Sequence, residues 1–351
     1  MSTVSTAMSN DGQATPVKRG RILWLKRVLL AVIVLIFALP TTGIIYESVM
    51  AASDAERYPA PGQMVAVDGH QMHLNCVGTG SPTVLLESGF NSTSLDWGLV
   101  QPEIAQFNRV CAYDRAGLGW SALGLEPRTP EQIVTELHTL LQNAAIEAPY
   151  VLVGHSIGGK YIRMYADLYP NEVSGMVMVD ARHESMEPPA RTPEENQRAQ
   201  EDYRASLGMY VTLGKLGVAR AFGSWLLPAL NTAYKALPAE TRTLIAMFSG
   251  RQSTIDTMVA ESSGETVNDD QLRIARLPVN MPLVVLAADS SLKAEPKWLQ
   301  AQQLLADLTH NSRLQEVANA DHIIQLTQPT VVIEAVRDVV EAVRTGKSLA
   351  P

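Results

Sequence analysis

Tyr150-Val151-Leu152-Val153-Gly154-His155-Ser156-Ile157-Gly158-Gly159-Lys160 decides how the rest of the chain is read. Its first residues are apolar and β-branched and suit a buried strand, and Tyr161-Ile162-Arg163-Met164-Tyr165-Ala166 beyond it carries a helical pattern. Between the two stands G-x-S-x-G, a serine on a sharp strand-to-helix turn. Strand end and helix start approach closely there, and Gly154 and Gly158 leave room for both backbones. The helix that follows turns its free N–H groups and positive dipole end toward any oxyanion formed beside Ser156. The turn therefore suits acyl chemistry.

Working outward, further strand-like runs alternate with helical ones. Pro82–Phe90 reads as a buried strand ending in a glycine loop, and Arg109–Arg115, Val173–Asp180, Leu283–Ala287 and the weaker Arg313–Ala318 read as others. Met64–Gly69 and Gln71–Val77 flank Asp68-Gly69 and predict an antiparallel hairpin at the start of the sheet. Thr129-Pro130-Glu131-Gln132 opens a helix with a capping threonine and a proline at the first position, and Val331–Val343 closes the chain as an amphipathic helix. The alternation predicts an α/β class with a mostly parallel sheet between two helical layers. Gly117-Leu118-Gly119 lacks the third glycine and the later acidic residue of a dinucleotide loop, and reads as a turn. The insertion over 183–280 differs in composition. Thr192-Pro193-Glu194-Glu195 opens a charged helix, whereas 214–230 is apolar, with Phe222, Trp225, Leu226 and Leu227 close together. It reads as a helical cap whose apolar residues either bind it to the core or line an apolar pocket.

With 46% hydrophobic and 18% charged residues among 351, the chain can bury one large core and a modest second unit. Net charge is −8, and it is unevenly placed: the first 46 residues hold five cations against Asp11, so they carry +4 and the remainder −12. An acidic body without a basic stripe excludes nucleic acid as partner. Residues 1–27 read as a basic, largely disordered tail. Nineteen uncharged residues over 28–46 would form a helix of about 28 Å, close to the hydrocarbon thickness of a bilayer, and 47–63 reads as a linker. A cleaved signal peptide is the rival reading, with small residues at Val49-Met50-Ala51. Either way the cations lie N-terminal, which predicts a membrane-anchored or secreted body on the extracytoplasmic side.

Several motifs in one order resemble the α/β-hydrolase superfamily, specifically its lidded, membrane-associated serine hydrolases. They are Leu85-Leu86-Glu87-Ser88-Gly89-Phe90, Val110-Cys111-Ala112-Tyr113-Asp114-Arg115-Ala116-Gly117-Leu118-Gly119-Trp120-Ser121, Val153 to Gly159, Val177-Met178-Val179-Asp180, and Asp321 to Pro329. The resemblance implies an eight-stranded sheet over 64–182 and 281–351, with a helical cap over 183–280 inserted after the sixth strand. It implies Ser156 as nucleophile and His322 as base, since His322 stands in a loop between the last strand and the last helix; the order nucleophile, acid, base then matches the fold. His155 reads as a packing residue beside the nucleophile. Asp321 precedes His322 where relatives often have small residues, and can modify the base. Two carboxylates qualify as the acid. Asp180 closes the strand after the nucleophile strand, and Asp289 follows the next one, with Ser291 about where the commoner acid falls. The oxyanion donors implied are the backbone N–H groups of Phe90 and Ile157. Cys76 and Cys111 would lie on neighbouring strands, so either a cross-strand disulfide or two buried thiols is expected.

The resemblance implies hydrolysis of a small apolar ester or related acyl substrate through an acyl-enzyme, without metal or cofactor. Haloperoxidase-like, C–C bond hydrolase and acyltransferase activities use the same triad, and a catalytically silent ligand-binding relative is a further alternative. Epoxide hydrolases and haloalkane dehalogenases of this fold use an aspartate nucleophile, which Ser156 argues against.

Overall fold

The computed structural model describes residues 17–186, 192–264, 267, 269–275 and 277–349. The first sixteen residues of the expected tail lie outside them. Helix α1, Val17–Ala52, is long and apolar enough over 20–52 to cross a membrane, and the apolar window within it is unburied. It outruns the apolar stretch at both ends. Residues 47–52, expected in a linker, continue the helix, and Asp54–Arg57 adds the short helix α2. The reason is tertiary: Glu47 and Asp54 both pair with Arg220 of the cap, which keeps this segment wound.

Strands β1 (Gln63–Val67) and β2 (His70–Val77) form a hairpin whose turn residues Asp68 and Gly69 both take positive φ, 45° and 88°. That conformation is the one the Asp-Gly pair suits. Then come β3 (Thr83–Glu87), α3 (Gln101–Ile104), β4 (Val110–Tyr113), α4 (Pro130–Asn143), β5 (Tyr150–His155), α5 (Gly158–Leu168) and β6 (Val173–Val179). After the cap follow β7 (Leu283–Ala288), α12 (Asp289–Ala294), α13 (Trp298–Ala306), β8 (Ser312–Val317), α14 (Ile324–Thr327) and α15 (Pro329–Thr345). The cap helices are α6 (Pro193–Ser206), α7 (Gly208–Lys215), α8 (Val218–Leu230), α9 (Ala239–Ser249), α10 (Gln252–Gly264) and α11 (Asp269–Ile274).

The eight strands run in the order β1-β2-β4-β3-β5-β6-β7-β8. β1 and β2 are antiparallel, β2 joins β4 antiparallel, and the rest pair in parallel. Helices cover both faces of the sheet, so the central strands are buried on both sides and read as continuous apolar runs. Within β5, Leu152 faces the layer holding α4 and α5, while Val151 and Val153 face that of α15. The hairpin brings Cys76 opposite Cys111 in the β2–β4 ladder, and the two are bonded.

Candidate active site

The turn after β5 holds Ser156 at φ +55°, a left-handed conformation that costs a non-glycine residue energy unless its surroundings enforce it. Two contacts do so. Ser156 N–H donates to Val179 O at 3.1 Å, and its carbonyl accepts from Arg182 N–H at 3.0 Å. The neighbours have no room for side chains. A Cβ on Gly154 would lie 2.7 Å from Gly158 O, and one on Gly158 would lie 2.9 Å from Glu87 and Ser88 carbonyls. The tight turn thus lifts the hydroxyl out of the sheet at the parallel strands' C-terminal edge.

His322 comes from the loop between β8 and α14 and meets that hydroxyl, Nε2 to Ser156 Oγ being 3.0 Å. Its Nδ1 lies 2.7 Å from Asp180 Oδ2. The structure therefore brings Ser156, His322 and Asp180 into one hydrogen-bonded line. The other carboxylate weighed, Asp289, opens α12 and takes a hydrogen bond from Lys293 Nζ at 2.6 Å. It bonds within its own helix.

Asp180 is fully buried and its two oxygens are filled by donors. Trp298 Nε1–H and Ala288 N–H each donate to Oδ1 at 2.8 Å, and Ser291 Oγ–H donates to Oδ2. Such a carboxylate is held in one orientation. The loop carrying the base is pinned as well. His322 N–H donates to Asp321 Oδ1 at 2.8 Å, and His322 O accepts from His155 Nε2 at 2.9 Å. Burial, reinforced by the adjacent His322 ring, pushes His155 down to about 3, so it is neutral and can serve as this donor. Asp321 therefore holds the loop.

Phe90 and Ile157 lie at the turns after β3 and β5, and among the described residues neither backbone N–H donates to a protein acceptor. Arg115 shapes the first of these turns. Its guanidinium is buried and donates to Ser88 O at 2.7 Å, Gly89 O at 2.9 Å, Glu87 at 2.8 Å and Glu261 of α10 at 2.9 and 3.1 Å. A trans peptide points its carbonyl and N–H in opposite directions, so fixing Gly89 O fixes where Phe90 N–H points. A groove of about 320 Å³ opens over the site, lined by Ser156, Arg182, Ser291, Glu295, Trp298 and His322.

No sequence pattern marks Trp298, Ser291 or Arg115 as a supporting residue of the site. Arg115 stands inside the 110–121 motif next to Asp114, which was its only signal; Trp298 begins an ordinary helix and had none. Three of the other five histidines bond elsewhere: His73 to Asp114, His138 to Glu172 and His183 to Ser185. Asp114 also accepts from Ser94 and Trp120 N–H and builds its loop. Among the described residues no cluster of side chains could hold a metal ion.

Comparison with known proteins places these features in context. Residues 82–329 match the profile of the alpha/beta hydrolase fold family. An uncharacterized protein of Schizosaccharomyces pombe is 29% identical over 302 residues, which is 76% of this chain and 53% of that protein. The chain spans about half the length of the first curated relatives it matches. Among solved structures, Cfl2 of Burkholderia cenocepacia superposes with a TM-score of 0.62 at 22% identity, covering 79% of this chain and 95% of that one. A thermophilic esterase of Thermogutta terrifontis gives 0.59 at 19% identity, covering 80% and 98%. Identities this low speak for the fold alone.

Proposed function

Because the chain belongs to the alpha/beta hydrolase fold family, we propose that it is a serine hydrolase of carboxylic esters or related acyl compounds, held at a membrane by α1. In this reading Ser156 Oγ attacks the acyl carbon while His322 Nε2 takes its proton. Asp180 keeps the imidazole in the required tautomer and stabilises the imidazolium. Phe90 and Ile157 N–H donate to the oxyanion, each worth about 3 kcal/mol of transition-state stabilisation. Collapse expels the alcohol with the proton from His322, leaving Ser156 acylated. Water then attacks with His322 again as base and frees the acid.

The observation that carries the reading is the continuous line from Ser156 Oγ through His322 to Asp180, at 3.0 and 2.7 Å. The cations Arg21, Lys26 and Arg27 lie in the first turns of α1, ahead of its apolar stretch, which supports an extracytoplasmic body. Labelling with a fluorophosphonate probe tests the chemistry. Wild type is expected to label at Ser156, and Ser156→Ala and His322→Ala are expected not to. A well-folded wild type that does not label counts against an activated serine and in favour of a ligand-binding relative.

A further inference from the structure

Two apolar features of the cap share one wall. A cavity of about 330 Å³ lies among the cap helices, lined by residues that include Leu207, Leu213, Leu226, Leu227, Ile255 and Met258. Its size is that of a pocket for one small ligand. Asn91 reaches the same lining, and Phe90 before it packs against Leu207, Ile255 and Met258. A Cβ on the preceding Gly89 would lie 3.3 Å from Ser156 Cβ, so Phe90 adjoins both the catalytic turn and residues that line this cavity.

The outside of the same helices is apolar too. Met209, Phe222 and Trp225 are 56 to 70% exposed and lie off the cavity, whereas Tyr210, Leu213 and Leu230 line it and are also exposed, forming the shared wall. Phe222, Trp225 and Ala229 repeat at the spacing of one helix face. A patch of this kind marks an interaction surface.

Charge and position say what covers it. Residues 203–239 hold four cations and no Asp or Glu; Arg204 is paired with Asp256 and Arg220 with Glu47 and Asp54, which leaves Lys215 and Lys235 beside the patch in a body that otherwise is strongly acidic. The patch also adjoins the foot of α1. A Cβ on Gly43 would lie 2.5 Å from Leu216 O, and one on Gly217 would lie 2.9 Å from the Tyr46 ring. The α7–α8 junction therefore sits level with the last apolar turn of α1, and Trp225 is only about 12 Å along α8 from it.

We propose that the α7–α8 face lies in the interfacial layer of the bilayer that α1 enters, and that the cavity behind it takes the acyl chain of an ester drawn from that bilayer. The chemistry rests on the serine-hydrolase reading and the geometry on α1 as an anchor. Full-length protein in phosphatidylcholine–phosphatidylglycerol vesicles tests both. A fluorophore on Trp225→Cys is expected to be quenched at least threefold by lipids spin-labelled in the acyl chain, and one on the exposed Glu341→Cys of α15 is not. Quenching at neither position, with the protein still floating with the vesicles, overturns the interfacial face and leaves the anchor standing. Protein that does not float overturns the anchor and the proposal with it.

The cavity has its own arm. Ser249→Phe, which fills it from α9, is expected to lower the ratio of palmitoyl to butyryl p-nitrophenyl ester hydrolysis at least tenfold; Ala219→Leu does so from α8 if the first variant fails to fold. Fluorophosphonate labelling of each variant reports an intact catalytic turn. An unchanged ratio overturns the cavity as the acyl compartment. A wild type that neither cleaves the butyryl ester nor labels overturns the serine-hydrolase reading itself, and is told apart from the other failures by that double loss.

Discussion

Asp180 takes hydrogen bonds from two side chains besides His322 and from one backbone N–H, and this convergence separates it from Asp289. Asp180→Asn is expected to lower kcat by about 10⁴ through the wrong imidazole tautomer, whereas Asp289→Asn removes only an exposed intrahelical pair and leaves kcat nearly unchanged. Steady-state kinetics on a short ester checks both. The sequence marked two carboxylates at strand ends because that position is local. Which end faces the 320–323 loop is a long-range fact, and no window of sequence carries it. Ser291 illustrates the point: at about the place of the commoner acid, its hydroxyl donates to Asp180 instead. Buried histidines give a second residue-scale expectation. Burial pushes His183 down to about 4 against Glu184's opposing pull, so the fold keeps it neutral where the unfolded chain takes a proton below about 6.5. Its stabilising contribution is complete above that pH and is lost as pH falls. His183→Gln is therefore expected to gain on wild type by up to about 1.4 kcal/mol per pH unit from pH 6.5 toward 4, read by urea unfolding.

Among the elements, the strands were legible because burial on both faces leaves little but Val, Leu, Met and Ala in them, and β8 was weaker because it is an edge strand, half-exposed along most of its length. The helix starts at Thr129 and Thr192 were legible from capping residues whose bonds are local, Thr129 Oγ1 accepting from Gln132 N–H and Thr192 Oγ1 from Glu195 N–H. What no pattern showed is the tie between cap and sheet. Arg115 joins α10 to the loop after β3 across 146 residues of chain. Arg115→Met leaves Glu87 and Glu261 buried without their cation, and a loss of about 3–5 kcal/mol of stability is expected. Adding Glu87→Gln and Glu261→Gln is expected to restore much of that in urea unfolding. The triple variant should still turn over at least tenfold more slowly, because Gly89 O has lost the donor that fixes the adjoining N–H.

The molecule as a whole joins a membrane-length helix, a disulfide and an acidic body. The apolar run and the charge asymmetry were plain in the sequence; that α1 extends to Ala52 was not, because its stop depends on Arg220, 173 residues beyond Glu47. The bond between Cys76 and Cys111 closes a loop with a sequence separation of 35, so Cys76→Ser with Cys111→Ser is expected to cost about 2–4 kcal/mol. Alkylation without reductant should leave both thiols protected in wild type; two free thiols would contradict the bond.

The clasp of Glu47, Asp54 and Arg220 has a consequence for how such a body works on a surface. Arg220 is buried and donates to both carboxylates at 2.7 to 2.9 Å, which favours the clasped pose over unclasped ones. A tethered body would tumble at the end of its leash and sample solution. With α1 in a bilayer, as proposed above, this one would be set at a single height and heading and would patrol a plane. Under that proposal the supply it draws on would be counted in molecules per unit area of bilayer, and diluting the aqueous phase would leave that supply untouched.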